Sequence, residues 1–243
     1  MKKRKNLGAA ANVHRRSADD HASKAAHYLH QARKGLDNPQ EARCPGIWNS
    51  LLHAVEAWSI ASVHAHSANE GHQPTSEDKD LLGKLMKTFG QVKDRATAAC
   101  VLPAAHHAEE PVAVRPISID GLSGAAGYHQ GQLRTHMEGF ARQDARAAAA
   151  LTSGACRDAA EPVLYVRHLL AMAKANTQAP RGETRKKLDD AKAVLAAHEA
   201  TFRDKCLRNR QQDTRDEAGL GPAERRFRRL DLDGARRKPR RRR

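Results

Sequence analysis

Four cysteines and fourteen histidines are the residues of this chain whose chemistry could reach beyond packing. Cys44 and Cys156 each stand where a helix is expected to start, Cys100 and Cys206 each where one is expected to stop. In an up-down-up bundle the second helix starts at the end where the third stops, so Cys44 should lie near Cys100 and Cys156 near Cys206. Small buried thiols are the favoured reading, with a disulfide in each pair and a metal site as alternatives. Zinc needs about four ligands; His30 could supply one beside the first pair, but the corresponding later position is Ala145.

The histidines divide in the same way. His27 with His30, His64 with His66, and His106 with His107 have no second cluster at zinc-finger spacing and read as surface or helix-end residues. His14 with His21, and His129 with His136, are seven apart, two helical turns, so each pair can line one helix face. Packing around a helix start is the favoured role for them, with polyanion contact as the alternative. The chain carries no phosphate loop, HExxH, GxSxG or dinucleotide fingerprint. Nothing in it nominates an acid–base pair, so the reading is non-enzymatic, with no cofactor and no metal.

Charge is the third kind of chemistry, and it is unevenly placed. The net charge is +15, of which residues 1–16 hold +6 and residues 225–243 hold +9, leaving a neutral body between them. The cations at the start are Lys2, Lys3, Arg4, Lys5, Arg15 and Arg16. Those at the end are Arg225, Arg226, Arg228, Arg229, Arg236, Arg237, Lys238, Arg240, Arg241, Arg242 and Arg243. Guanidinium forks match phosphate oxygens. With only Phe227 among the basic residues of the tail, base stacking is disfavoured, and contact through backbone phosphates is expected.

The elements that must position these residues are helical. Aromatics are only 4% of the chain, and alanine, the best helix former, dominates the apolar set. Residues Leu7 to Leu36 recur at a shift of 115, with His14 on His129, His21 on His136 and Leu36 on Leu151. Cys44 recurs on Cys156 at a shift of 112, and Leu82 on Leu188 and Cys100 on Cys206 at 106. This is read as an internal duplication whose length differences fall in loops. The fold class expected is all-α: two tandem three-helix, up-down-up repeats with disordered basic N- and C-terminal arms.

The boundaries expected are a basic arm at 1–16, repeat 1 at 17–102, a linker at 103–121, repeat 2 at 122–208 and a basic tail at 209–243. Helix 1 should run from Ala18 to Leu36 behind a capping-box-like Ser17 and Asp20, with Ala22, Ala25, Ala26, Leu29 and Ala32 as its stripe. Gly35, Asn38 and Pro39 should end it. Helix 2 should bury one face bearing Trp48, Leu51, Leu52, Val55, Trp58 and Ala65. Helix 3 should open at Ser76 or Glu77 and carry Leu82, Leu85, Phe89, Val92, Ala96 and Ala99 as a bundle seam. Residues 112–119 could be extended. The later helices should cover Leu133–Leu151, Pro162–Asn176 and Thr184–Leu207, with Val163, Leu164, Val166, Leu169, Leu170 and Ala173 buried in the middle one.

Lys5-Asn6-Leu7-Gly8 behind a basic start, then His14, alanine-spaced helices and a cysteine before the second helix, resembles uncharacterised small helical proteins encoded by bacteriophages. The resemblance spans about the first sixty residues and implies a phage source, with no activity to carry over.

The function expected is sequence-independent nucleic-acid binding, DNA favoured over RNA, through the basic termini, organising or packaging a genome. The alternative is a structural or scaffolding helical module that self-assembles or binds a virion partner. No run reaches the roughly 20 apolar residues of a membrane span, and the location expected is cytoplasm, nucleoid or virion interior.

Overall fold

The computed structural model describes residues 2–38, 44–69, 74–104, 122, 128–177 and 180–208, with side chains from Gly8 onward. Among the described residues the regular elements are six helices: α1 (Lys2–Asp37), α2 (Cys44–Ala68), α3 (Ser76–Cys100), α4 (Tyr128–Thr152), α5 (Cys156–Ala175) and α6 (Gly182–Cys206). Residues 112–119, which could be extended by their sequence, lie outside the described residues. The helices pack as one body that ends at Leu207. No helix among the described residues is long and apolar enough to cross a membrane.

The expected arm at 1–16 is instead the first four turns of α1. Ala9, Ala10 and Ala11 favour helix, and a formed helix extends at little cost through residues that do not break it. Ser17 and Asp20 therefore sit inside the helix, where Asp20 pairs with Lys24 at 2.6 Å rather than capping. Gly35 does not stop α1. A Cβ there would meet Ile47 Cγ1 at 2.8 Å, so its role is to let α1 and α2 approach closely.

Burial along α1 follows Ala18, Ala22, Ala25, Leu29 and Ala32, while Ala26 is exposed. Shifted by 115, these positions are Leu133, Met137, Phe140, Asp144 and Ala147 of α4, all buried too. At three of the five, alanines of α1 stand where α4 has Leu133, Met137 and Phe140. On the helices they pack against, the size contrast reverses at one position: Trp48 of α2 corresponds to Ala160 of α5.

Helix α2 is not one-sided. Ala54, Ala57, Ser59, Ala61, Ser62 and Val63 are buried together with Trp48, Leu51, Leu52 and Val55. The reason is position: α2 packs against α1, α3 and α5. Helix α3 starts behind Thr75, whose hydroxyl accepts from the Asp78 N–H while Asp78 accepts from the Thr75 N–H, a full capping box. Its seam ends on Cys100 rather than Ala99, which is exposed. Helix α5 starts at Cys156 rather than Pro162. Proline early in a helix removes one backbone donor, and here its buried ring adds to the core.

The thiol reading of the cysteines is overturned. Cys44–Cys100 and Cys156–Cys206 are disulfides, each with a Cα–Cα distance of 5.2 Å, inside the range a bridge requires. Each ties the first residue of a second helix to the last residue of a third. Directly after those last residues, Val101 and Leu207 form an antiparallel bridge, and the Leu102 N–H donates to the Cys206 carbonyl at 2.9 Å. The first turns of α2 and α5 therefore lie at one end of the body, and the Trp48 ring packs 4.7 Å from Phe202 there. The two helices run side by side from that end, their middles joined by hydrogen bonds.

Candidate nucleic-acid interface and the buried polar core

At the other end of α2, His14 of α1 and His64 share a hydrogen bond, with their Nδ1 atoms 3.0 Å apart. His129 of α4 and Asn176, the residue capping the end of α5, make a similar pair, in which the His129 Nδ1–H donates to the Asn176 side-chain oxygen at 2.8 Å. Asn176 is held for this by its own amide, which donates to the Met172 carbonyl. His21 stacks on His64 with ring centroids 6.1 Å apart. These rings resist protonation. Burial, then His14 and His21, hold His64 down at about 4. Burial and His129 lower His14, and burial and Lys24 lower His21 against the opposing pull of Asp20 and Glu56.

The basic start of α1 rises from this end. The His14–His64 pairing places Ala68, the last residue of α2, opposite about Ala10, so α1 extends roughly 12 Å past its partner at 1.5 Å per residue. Lys2, Lys3, Arg4 and Lys5 lie on that extension, and Arg15 and Arg16 beside His14 are exposed. No acid precedes Asp19 in α1. Arg225, Arg226, Arg228, Arg229, Arg236, Arg237, Lys238 and Arg240 to Arg243 lie outside the described residues.

The polar residues at the seam of α2 and α5 escaped the sequence reading. Arg167 donates through Nε and Nη2 to Glu56 Oε2, at 3.1 and 2.6 Å, and through Nη1 to Glu199 Oε1 at 2.6 Å. Burial works against this cation, but the bonds and charges of Glu199 and Glu56 outweigh it and raise its pKa. One arginine thereby joins α2, α5 and α6. Beside it, Ser59 Oγ donates to the Val55 carbonyl. With that proton committed, His168 Nδ1–H is the donor in its 2.7 Å contact with Ser59 Oγ.

A serine whose proton is committed to backbone, fully buried, is not poised as a nucleophile. His168 lies near Trp58 and Tyr165, with centroids at 5.5 and 5.3 Å. Burial, then His136, push it down to about 4. Deeper still, His198 Nε2–H donates to Asp144 Oδ1 at 2.6 Å, and both residues are buried. At sequence shifts of 106 and 115 these two positions fall on Val92 and Leu29. A misfit of that kind, two apolar positions aligned with a histidine and an aspartate, was the available sequence signal. The polar pair Arg167-His168 between Val166 and Leu169 was another.

Among the described residues no group of three or more His, Cys, Asp or Glu is arranged to hold a metal ion. An open groove of about 410 Å³ between α3 and α5 is lined by Lys93, Asp94, Thr97, Arg157 and Glu161. Its cations and carboxylates alternate, which gives it no preference for either sign of charge. No protein-family model, no curated protein and no solved structure matches the chain.

Proposed function

We propose that this protein is a non-enzymatic nucleic-acid-binding protein that holds phosphate backbones without reading sequence, duplex DNA above RNA. The observation that carries the reading is the segregation of charge. The whole net charge of +15 lies in residues 1–16 and 225–243, and residues 2–16 are helical, with Arg15 and Arg16 exposed. Phosphate contacts by such cations release condensed counterions, so affinity falls steeply with salt. Genome organisation or packaging is the role such binding would serve.

The test is fluorescence anisotropy with a duplex of arbitrary sequence over a salt series. The slope of log affinity against log salt should be about −0.9 per phosphate neutralised. Removing residues 225–243, or making Arg15→Glu and Arg16→Glu, should each flatten that slope by about 1 for every phosphate no longer held, whatever the sequence of the duplex. Binding that ignores salt, or that survives removal of both segments unchanged, would refute the reading.

A further inference from the structure

We propose that the Cys44–Cys100 disulfide is a reducible latch. A dithiol reductant opens it in the folded protein and loosens α3, while Cys156–Cys206 and α6 stay closed. Two differences between the two disulfide-linked helix pairs carry this inference.

The first is access. Cys44 is partly exposed in the first turn of α2, whereas Cys100, Cys156 and Cys206 are buried at 1, 0 and 1% exposure. Thiol–disulfide exchange needs a thiolate to reach one sulfur of the bridge. Only the first bridge offers a partner that solvent reaches.

The second is what remains when the bridge is gone. Helix α3 spans 25 residues yet buries only Leu85, Val92, Ala96 and Cys100. Across to α2 it has the Trp58 Nε1–H bond to the Leu82 carbonyl, and across to α1 an exposed pair, Arg95 with Asp37. Helix α6, of the same length, buries Thr184, Leu188, Ala191, Leu195, His198, Phe202 and Cys206. It is also pinned by the His198–Asp144 and Glu199–Arg167 pairs. Val101, buried and bridged to Leu207, keeps the chain attached after reduction and becomes the pivot about which α3 moves.

The exchange balances as follows. A reductant thiolate bonds to the Cys44 sulfur and the bridge breaks, with Cys100 leaving as a thiolate that takes up a proton. The second thiolate of the reductant then attacks its own sulfur in the mixed disulfide and releases Cys44. The protein gains two electrons and the dithiol becomes a disulfide.

The test uses the oxidised full-length chain with dithiothreitol and no denaturant, followed by timed alkylation and by amide hydrogen exchange. Cys44 and Cys100 should be alkylated at least about tenfold faster than Cys156 and Cys206. Exchange across residues 81–99 should then rise by about tenfold or more while α6 is unchanged. The double variant Cys44→Ser/Cys100→Ser should show the loosened α3 without reductant, and Cys156→Ser/Cys206→Ser should leave α3 protected. Both bridges opening together, α3 still protected once its bridge is open, or α6 loosening equally would each overturn the proposal. The wild-type arm decides even if a variant does not fold.

Discussion

The buried Asp144–His198 pair falls, at sequence shifts of 115 and 106, on the buried apolar Leu29 and Val92. A buried hydrogen-bonded pair is seldom worth more than the apolar packing it replaces, but half of one is costly. His198 Nδ1 is buried without a hydrogen-bond partner, which weakens the case further. Asp144→Leu alone, or His198→Val alone, should destabilise by about 1–3 kcal/mol, because the surviving polar group is left unmatched. Making both changes should return stability to within about 1 kcal/mol of the parent or above it. Urea denaturation of the four proteins checks this, and additive losses would refute it.

His168 sets a pH dependence at the same scale. Above pH 6.5 its ring is neutral whether the chain is folded or not. Below 6.5 the unfolded ring takes a proton that the folded ring refuses until about pH 4, so its contribution is full above 6.5 and is lost between 6.5 and 4. That loss is on the order of 2–3 kcal/mol once residual solvation is allowed for. His64 loses stability over the same window, but less, since it is more open to solvent. His168→Gln should flatten the fall in stability between pH 7.5 and 4.5. At pH 7.5 it should cost about 1 kcal/mol for the missing bond to Ser59. Denaturation at the two pH values is the measurement, and a fall as steep as the parent's would count against His168.

At the scale of elements, glycines show where helices touch. Gly35→Ala should destabilise by about 1–3 kcal/mol, because Ile47 must move to admit the methyl. Gly83→Ala and Gly90→Ala, in α3 with nothing within 4 Å of the new methyl, should each stabilise by about 0.5–1 kcal/mol through the gain in helix propensity. Thermal denaturation distinguishes the two classes by sign. The same contrast explains what was legible in the sequence. Apolar spacing found six helices and every buried residue named for α5, because period 3.6 survives without knowledge of partners. It placed Gly35 as a stop, since glycine's use in close packing depends on a partner helix that one strand of sequence does not contain. It also gave α2 one buried face, because an alanine-rich second face looks like ordinary helix surface until α5 is set against it. The disulfides sat between the two: bundle topology paired the right cysteines, while their oxidation state depends on a geometry that spacing alone does not give.

At the scale of the molecule, the question is whether α1–α3 and α4–α6 can unfold apart. Helices α4–α6 have a cluster of their own around Leu133, Phe140, Leu170 and Leu188, but part of their core is shared with α1–α3. One continuous apolar cluster holds Ala25, Trp48 and Val92 together with Ala147, Val163 and Phe202, and the Arg167 bonds cross the same boundary. Both tryptophans belong to α2, where Trp48 lies against Phe202 of α6 and Trp58 near His168 of α5, so their fluorescence reports α2 and its boundary with the later helices, whereas far-ultraviolet circular dichroism reports all the helices. If the halves were independent, the two signals would give different midpoints. A shared core requires them to coincide. Phe202→Ala makes the test sharper, since it lies in α6 and empties space beside the Trp48 ring. The loss should be about 3–5 kcal/mol, the usual cost of truncating a buried phenylalanine. It should lower the tryptophan midpoint and the dichroism midpoint by the same amount. A tryptophan transition left where it was in the parent would mean that α1–α3 stand without α4–α6.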